Sequence, residues 1–212
     1  MNKLILVILA TSFLFTASGC VTQKAQYVFN LEDVQRPKEV LSQYGAGSLE
    51  HLTFEDNLCK IIFSPEERGI AFDLINKSNR TIKILWDEVA YVDQYKSSHR
   101  VLHLGTKFIH SDRPQPISAV PVDAKLDDLI VPADYAEWTT TTSIWFGTKT
   151  SGWQIRPLFP KAFGFFATGS LSQFKAFVSS LDNKSIAISL PMKVGDDTNE
   201  YLFVFRVRAW IE

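Results

Sequence analysis

A mainly β, antiparallel sandwich or barrel is the fold class this sequence predicts, and three patterns carry the prediction. Apolar and polar residues alternate in a series of short segments between Leu58 and Trp210. Clusters of turn-forming residues separate those segments. A later stretch, residues 170 to 181, breaks the series with helical spacing. With 212 residues, 46% hydrophobic and 13% aromatic, the chain can bury a core for one domain, which excludes disorder throughout.

The N-terminus has the anatomy of a secretory signal. Met1-Asn2-Lys3 opens it, an apolar run extends from Leu4 to Phe15, and Thr16-Ala17-Ser18-Gly19-Cys20 closes it with small residues. The run is shorter than the roughly 20 apolar residues that a membrane-spanning helix needs. Residues 1–19 therefore read as a leader, 20–48 as a polar tether and docking segment, and 49–212 as the β-sandwich body. Within the tether, Pro37, Val40, Leu41, Tyr44 and Gly45 suggest one short helix.

Strand signals then follow in order. Cys59, Ile61 and Phe63 alternate with Lys60 and Ile62, Ile70, Phe72 and Leu74 with Ala71 and Asp73, and Ile82, Ile84 and Trp86 with Lys83 and Leu85. Asn76-Lys77-Ser78-Asn79-Arg80 lies between the second and third segments and reads as a hairpin turn. Its Asn-x-Ser/Thr triplets are accounted for by turn chemistry. Further strands are expected at 89–93, 100–104, 116–121, 126–131, 139–145, 185–190 and 201–210. Ser170-Leu171-Ser172-Gln173 is a capping-box arrangement, and Leu171, Phe174, Phe177, Val178 and Leu181 follow at helical spacing. Asp182-Asn183 ends that helix, which is expected to cover an open end or edge of the sandwich.

Ala17-Ser18-Gly19-Cys20 resembles the lipobox of bacterial lipoproteins, with Ala17 where Leu is commonest. The resemblance implies cleavage between Gly19 and Cys20, a diacylglyceryl group on the Cys20 thiol, and further acylation of the new amine, so that the 20–48 segment has a lipidated start. Each buried methylene contributes about 0.8 kcal/mol, so two or three acyl chains hold firmly where one would not. Val21 follows the cysteine, and by the same resemblance this favours the periplasmic face of the outer membrane; a Gram-positive surface is the other setting. The body, from Phe72 through Trp86 and the prolines flanking Ile117 and Ile130 to Tyr201-Leu-Phe-Val-Phe205, is similar to immunoglobulin-like domains of bacterial surface lipoproteins. That similarity implies a fold and leaves the function open.

Chemistry-bearing motifs are sparse. A net charge of −1 and the lack of a Lys/Arg run argue against nucleic acid as a partner. His99 and His103 are four apart; on a strand that is about 13 Å, too far for one metal ion, so neither metal nor cofactor is expected. His51 and His110 complete the histidines. Nucleophile-elbow, phosphate-loop and zinc-protease motifs are not found. Cys59, in an alternating apolar run, reads as a buried small hydrophobe. The aromatic stretch from Trp138 to Phe166 has two readings: its rings fill the sandwich end beneath the helix, or they face a ligand, partner or lipid. On the second reading Trp145, Trp153 and Arg156 form the contact surface.

The expected protein is a lipid-anchored bacterial envelope module with a non-enzymatic role, attached to the membrane through acyl chains on Cys20 and binding another envelope protein. A carrier or sensor of a small apolar ligand is the first alternative, and a hydrolase with dispersed catalytic residues the second.

Overall fold

A computed structural model describes residues 23–36, 52–104, 106–107, 109, 112–143, 147–163 and 170–212. The leader, Gly19 and Cys20, the helix expected at 37–45, His51, His110 and Trp145 lie outside the described residues.

Alternating segments form the strands β1 (Ala25–Gln35), β2 (Thr53–Glu55), β3 (Cys59–Pro65), β4 (Ile70–Asn76), β5 (Ile82–Ile84), β6 (Ala90–Val92) and β7 (Ser98–Leu102). β8 (Ser118–Val120), β9 (Lys125–Pro132), β10 (Ala136–Thr142) and β11 (Lys149–Ile155) precede helix α1 (Leu171–Leu181), and β12 (Ser185–Val194) and β13 (Asp197–Ile211) follow it. All strand pairs are antiparallel. The main ladder runs β1-β13-β12-β6-β7-β9-β4-β3-β2, and β5 joins β12 to β8. β7 meets β9 through Val101 with Pro132 and Leu102 with Val131, and at this narrow seam the ladder turns from one layer to the other. The described residues thus form a mainly β, sandwich-like domain with one α-helix.

Period two decides which side chains form the core. Tyr201, Phe203, Phe205, Val207 and Ala209 of β13 point inward, as do Cys59, Ile61 and Phe63 of β3. Phe63 bridges the layers, with its ring 4.9 Å from Phe203 and 5.0 Å from Phe205, both edge-on. α1 forms where the capping box places it. Ser170 accepts the Gln173 amide, the Gln173 side chain accepts the Ser170 amide, and Val178 and Leu181 are buried against the body.

Two expectations are corrected. The tether does not run to residue 48, because Ala25–Gln35 is a strand paired with β13 from Ala25–Ile211 to Gln35–Leu202. As a sheet-edge strand it buries only Ala25 and Leu31 fully, so its alternation is faint. Nor does the Asn76–Arg80 turn make a hairpin: β4 pairs with β3 and β9, whereas β5 pairs with β12 and β8. The turn carries the chain across the sandwich, and the same turn chemistry serves either route.

The registers also define two ends. At one, β1 begins opposite Ile211, β3 turns into β4 at Pro65–Ile70, β9 finishes at Pro132, and α1 packs on β13. The layers are joined there by Leu158 and Phe159, whose amides donate to the Glu67 carbonyl at 2.7 and 3.1 Å; the Phe159 ring lies 4.6 Å from that of Phe29. At the other end lie Asn76, Asp56 and the β12–β13 turn, where Gly195 takes φ +65°. Asp56, 2% exposed, accepts the amides of Leu58 and Cys59 at 2.8 and 2.9 Å and the Tyr201 hydroxyl at 2.9 Å.

Asp56→Ala leaves two buried donors and the half-buried Leu58 amide without an acceptor and is expected to lower unfolding free energy by roughly 3 kcal/mol or more. Tyr201→Phe removes one donor to a carboxylate, at about 1.5–3 kcal/mol. Because both remove the same bond, urea unfolding of the double variant should show less than the sum; strict additivity would break the assignment.

Candidate functional site

β10 and β11 form a two-stranded ribbon that pairs with no other strand of the described residues. Its base is tied by the Arg156 amide, which donates to the Tyr135 carbonyl at 2.8 Å, and by the Arg156 guanidinium 3.9 Å over the Tyr135 ring. Toward the tip, Thr140 and Ser151 share a hydroxyl hydrogen bond of 2.8 Å, and the Ser143 amide donates to Thr148 at 2.8 Å beside Gly147, which has φ +62°. Side chains on both faces of the ribbon are mostly exposed. A strand that faced the core would alternate, so this ribbon projects from the body.

Trp138 and Trp153 stand directly opposite each other on the ribbon, edge to face with centroids 5.8 Å apart. Trp138 is 59% exposed and Trp153 39%. The aromatic stretch therefore divides between its two readings. Phe159 is buried and Phe163 packs 6.0 Å from Phe174 of α1, whereas the tryptophan pair faces outward. Of the three contact residues inferred from sequence, Trp153 is on the outward pair and Arg156 anchors the base. Trp138, the partner of Trp153, was not among them; direct register opposition is its signal, and that needs the turn position.

His99 of β7 and His103, just beyond its end, go to different carboxylates. His99 places Nδ1 2.9 Å from Asp134 and Nε2 3.3 Å from Asp93, with its ring edge-on to Tyr135. His103 places Nδ1 3.2 Å from Asp128 and stacks flat on Trp86 at 4.4 Å, 6° between planes. Asp128 also accepts the Leu104 amide at 2.7 Å, and Trp86 donates to Ser118 at 2.8 Å. Both Nε2 atoms are buried without a hydrogen bond among the described residues; that of His99 faces the Asp93 carboxylate at 3.3 Å. Through Nδ1, His99 is held to Asp134 beyond β9 and His103 to Asp128 within β9, so the two pairs fasten β7 and the residue after it to that neighbour.

Cys59 is fully buried, as its alternation predicts. Burial, with the Asp56 charge adding to it, pushes its thiol well above the usual range. Burial likewise raises the phenols of Tyr91 and Tyr201. Two clefts accompany the sheet. One of about 600 Å³ lies by Gln35, Arg36, Thr198 and Tyr201. The other, about 500 Å³, is lined by Tyr27, Phe29, Leu52, Phe63, Phe159 and Lys161.

Among the described residues the fold and site define a class, a sandwich-like β domain with one α-helix and a projecting aromatic ribbon. No protein-family model, curated protein or solved structure matches the chain.

In a Cys20→Ala chain, Cys59 is the remaining thiol, and iodoacetamide is expected to label it only as fast as the protein unfolds. The same groups set an alkaline limit. In the unfolded chain Cys and Tyr ionise near about 8.5 and about 10, whereas in the folded protein they stay protonated, so stability is full below that range and falls as pH rises through it. A urea midpoint unchanged between about pH 7 and about pH 10.5 would contradict this.

Proposed function

We propose that this protein is a lipid-anchored component of a bacterial envelope, held by acyl chains on Cys20 and acting through its β domain as a non-enzymatic interaction module. The observation that carries the reading is the leader, with its apolar run Leu4–Phe15 ending in Ala17-Ser18-Gly19-Cys20. The expected location is the periplasmic face of the outer membrane. Two features support a binding role over a catalytic one. The ribbon presents exposed aromatics of the kind that make contacts, and the rings of His99 and His103 are largely buried, with Nδ1 of each held by a carboxylate of a neighbouring segment.

A carrier of a small ligand with an apolar body is the second reading, favoured by the cleft of about 500 Å³ between β1 and β3, where Phe29, Phe63 and Phe159 stand beside Gln26, Ser64, Glu66 and Lys161. Native mass spectrometry of the purified chain separates the two: a bound apolar molecule displaced by Phe159→Lys supports the carrier, and a ligand-free protein removes it.

Membrane fractionation tests the anchor. The unaltered chain is expected in the membrane pellet with a mass increased by its acyl groups, and Cys20→Ala in the soluble fraction; identical fractionation of the two would overturn the reading. Crosslinking in intact cells should then give a discrete adduct of the anchored form, and an exclusively monomeric band would count against an interaction role.

A further inference from the structure

We infer that the α1 end of the sandwich is the face turned to the membrane, and that Trp138, Trp153 and Trp210 seat it in the headgroup layer of the bilayer. The inference rests on the lipid-anchor reading and adds an orientation to it.

Chain length supplies the first constraint. β1 begins at Ala25, and only Val21 to Lys24 stand between it and Cys20. At about 3.5 Å per residue, a fully extended chain places the lipidated residue within about 18 Å of Ala25. The start of β1 is fixed: Ala25 donates to the Lys161 carbonyl at 2.8 Å, and Lys24 accepts from Glu212 at 2.8 Å. Acyl chains on Cys20 thus hold this end of the body close to the bilayer, and the opposite end away from it.

The distribution of tryptophan supplies the second. Among the described residues the exposed tryptophans all lie at this end. Trp210, 47% exposed, stands opposite Gln26 at the start of β1. The ribbon that carries Trp138 and Trp153 leaves the body after Pro132 and returns at Arg156, five residues before Lys161. Trp86, away from this end, is 1% exposed. Exposed apolar side chains elsewhere, such as Leu104, Ile117 and Val122, are aliphatic.

The side-chain chemistry selects the depth. An indole ring with an apolar body and one N–H favours the boundary between headgroups and hydrocarbon. Around the pair the ribbon carries Thr139 to Thr142 and Ser151, whose hydroxyls suit a hydrated headgroup layer and exclude deeper burial. Nearby charges are mixed, Lys149 and Lys161 against Glu137 and Asp182, so the contact is aromatic and not a basic patch on anionic lipid. Seven residues per strand give the ribbon a reach of about 23 Å, comparable to that of the tether.

The test uses the full, lipidated chain reconstituted on vesicles of phosphatidylethanolamine and phosphatidylglycerol, with or without bromine near the top of the acyl chains. Bromine is expected to quench the tryptophan emission of the unaltered protein, and W138F/W153F to lose most of that quenching while W210F loses a smaller part. Trypsin cleavage after Lys149 should be slower on vesicles than in detergent, a readout that needs no variant. Protein that floats with the vesicles but is neither quenched nor protected would overturn the seating while leaving the anchor intact, and would assign the ribbon to a protein partner. Protein that fails to float would overturn the anchor and the seating together.

Discussion

The chain changes layers at Asn76, and the arrangement of the sandwich depends on how that one buried amide is satisfied. Asn76 is fully buried at the end of β4. Its Nδ2 group donates to the carbonyls of Arg80, Val120 and Pro121 at 2.8, 2.9 and 3.0 Å, and its Oδ1 accepts the Ser78 amide and hydroxyl. Val120 ends β8 in one layer, whereas β4 belongs to the other. A buried amide without partners is costly, so the site admits only a geometry in which the turn, β4 and β8 meet. Asp56 acts the same way nearby, tying the β2–β3 turn to Tyr201 of β13.

These two groups make the ends of the domain physically different. The Asn76 end is sealed by directional bonds between buried groups, where a shift of register would leave donors unsatisfied. The α1 end is closed by apolar packing: Phe159 on Phe29, Phe163 on Phe174, and Val178 and Leu181 under the helix. Apolar packing tolerates variation in length and direction, so long excursions such as the ribbon can leave the body there. The N-terminal segment, lipid-attached in the function proposed above, also enters at this end, since β1 starts there.

Much of this was legible in the sequence, and the boundary between legible and illegible is physical. β3, β4, β12 and β13 face a core on one side at least, so their period of two appears directly; the helix appears through Ser170 and Gln173. β1 escaped because an edge strand buries few side chains. The β4–β5 crossover was misread because Asn76-Lys-Ser-Asn-Arg satisfies itself locally whether the next strand lies alongside or across the core. Asp56 and Tyr201 are separated by 145 positions, so no local pattern reveals their bond. For the ribbon, the sequence marked Trp153 and the aromatic density, but pairing with Trp138 requires the register that the tip sets.

An acyl anchor alone supplies affinity without orientation, since a domain on a short extended chain can pivot about it. Fixing rotation needs a second contact at some distance from the first, and once the anchor is in place that contact forms within one assembly at a high effective concentration. Even a pair of indoles that would not hold a free protein on a bilayer is then enough to favour one orientation. The Thr-rich strands suit this task better than an apolar ribbon would, because their cross-strand hydroxyl pairing remains satisfied in water before the domain settles. In that orientation the Asn76 end, where buried polar bonds fix the loops, is the surface presented to the surrounding compartment.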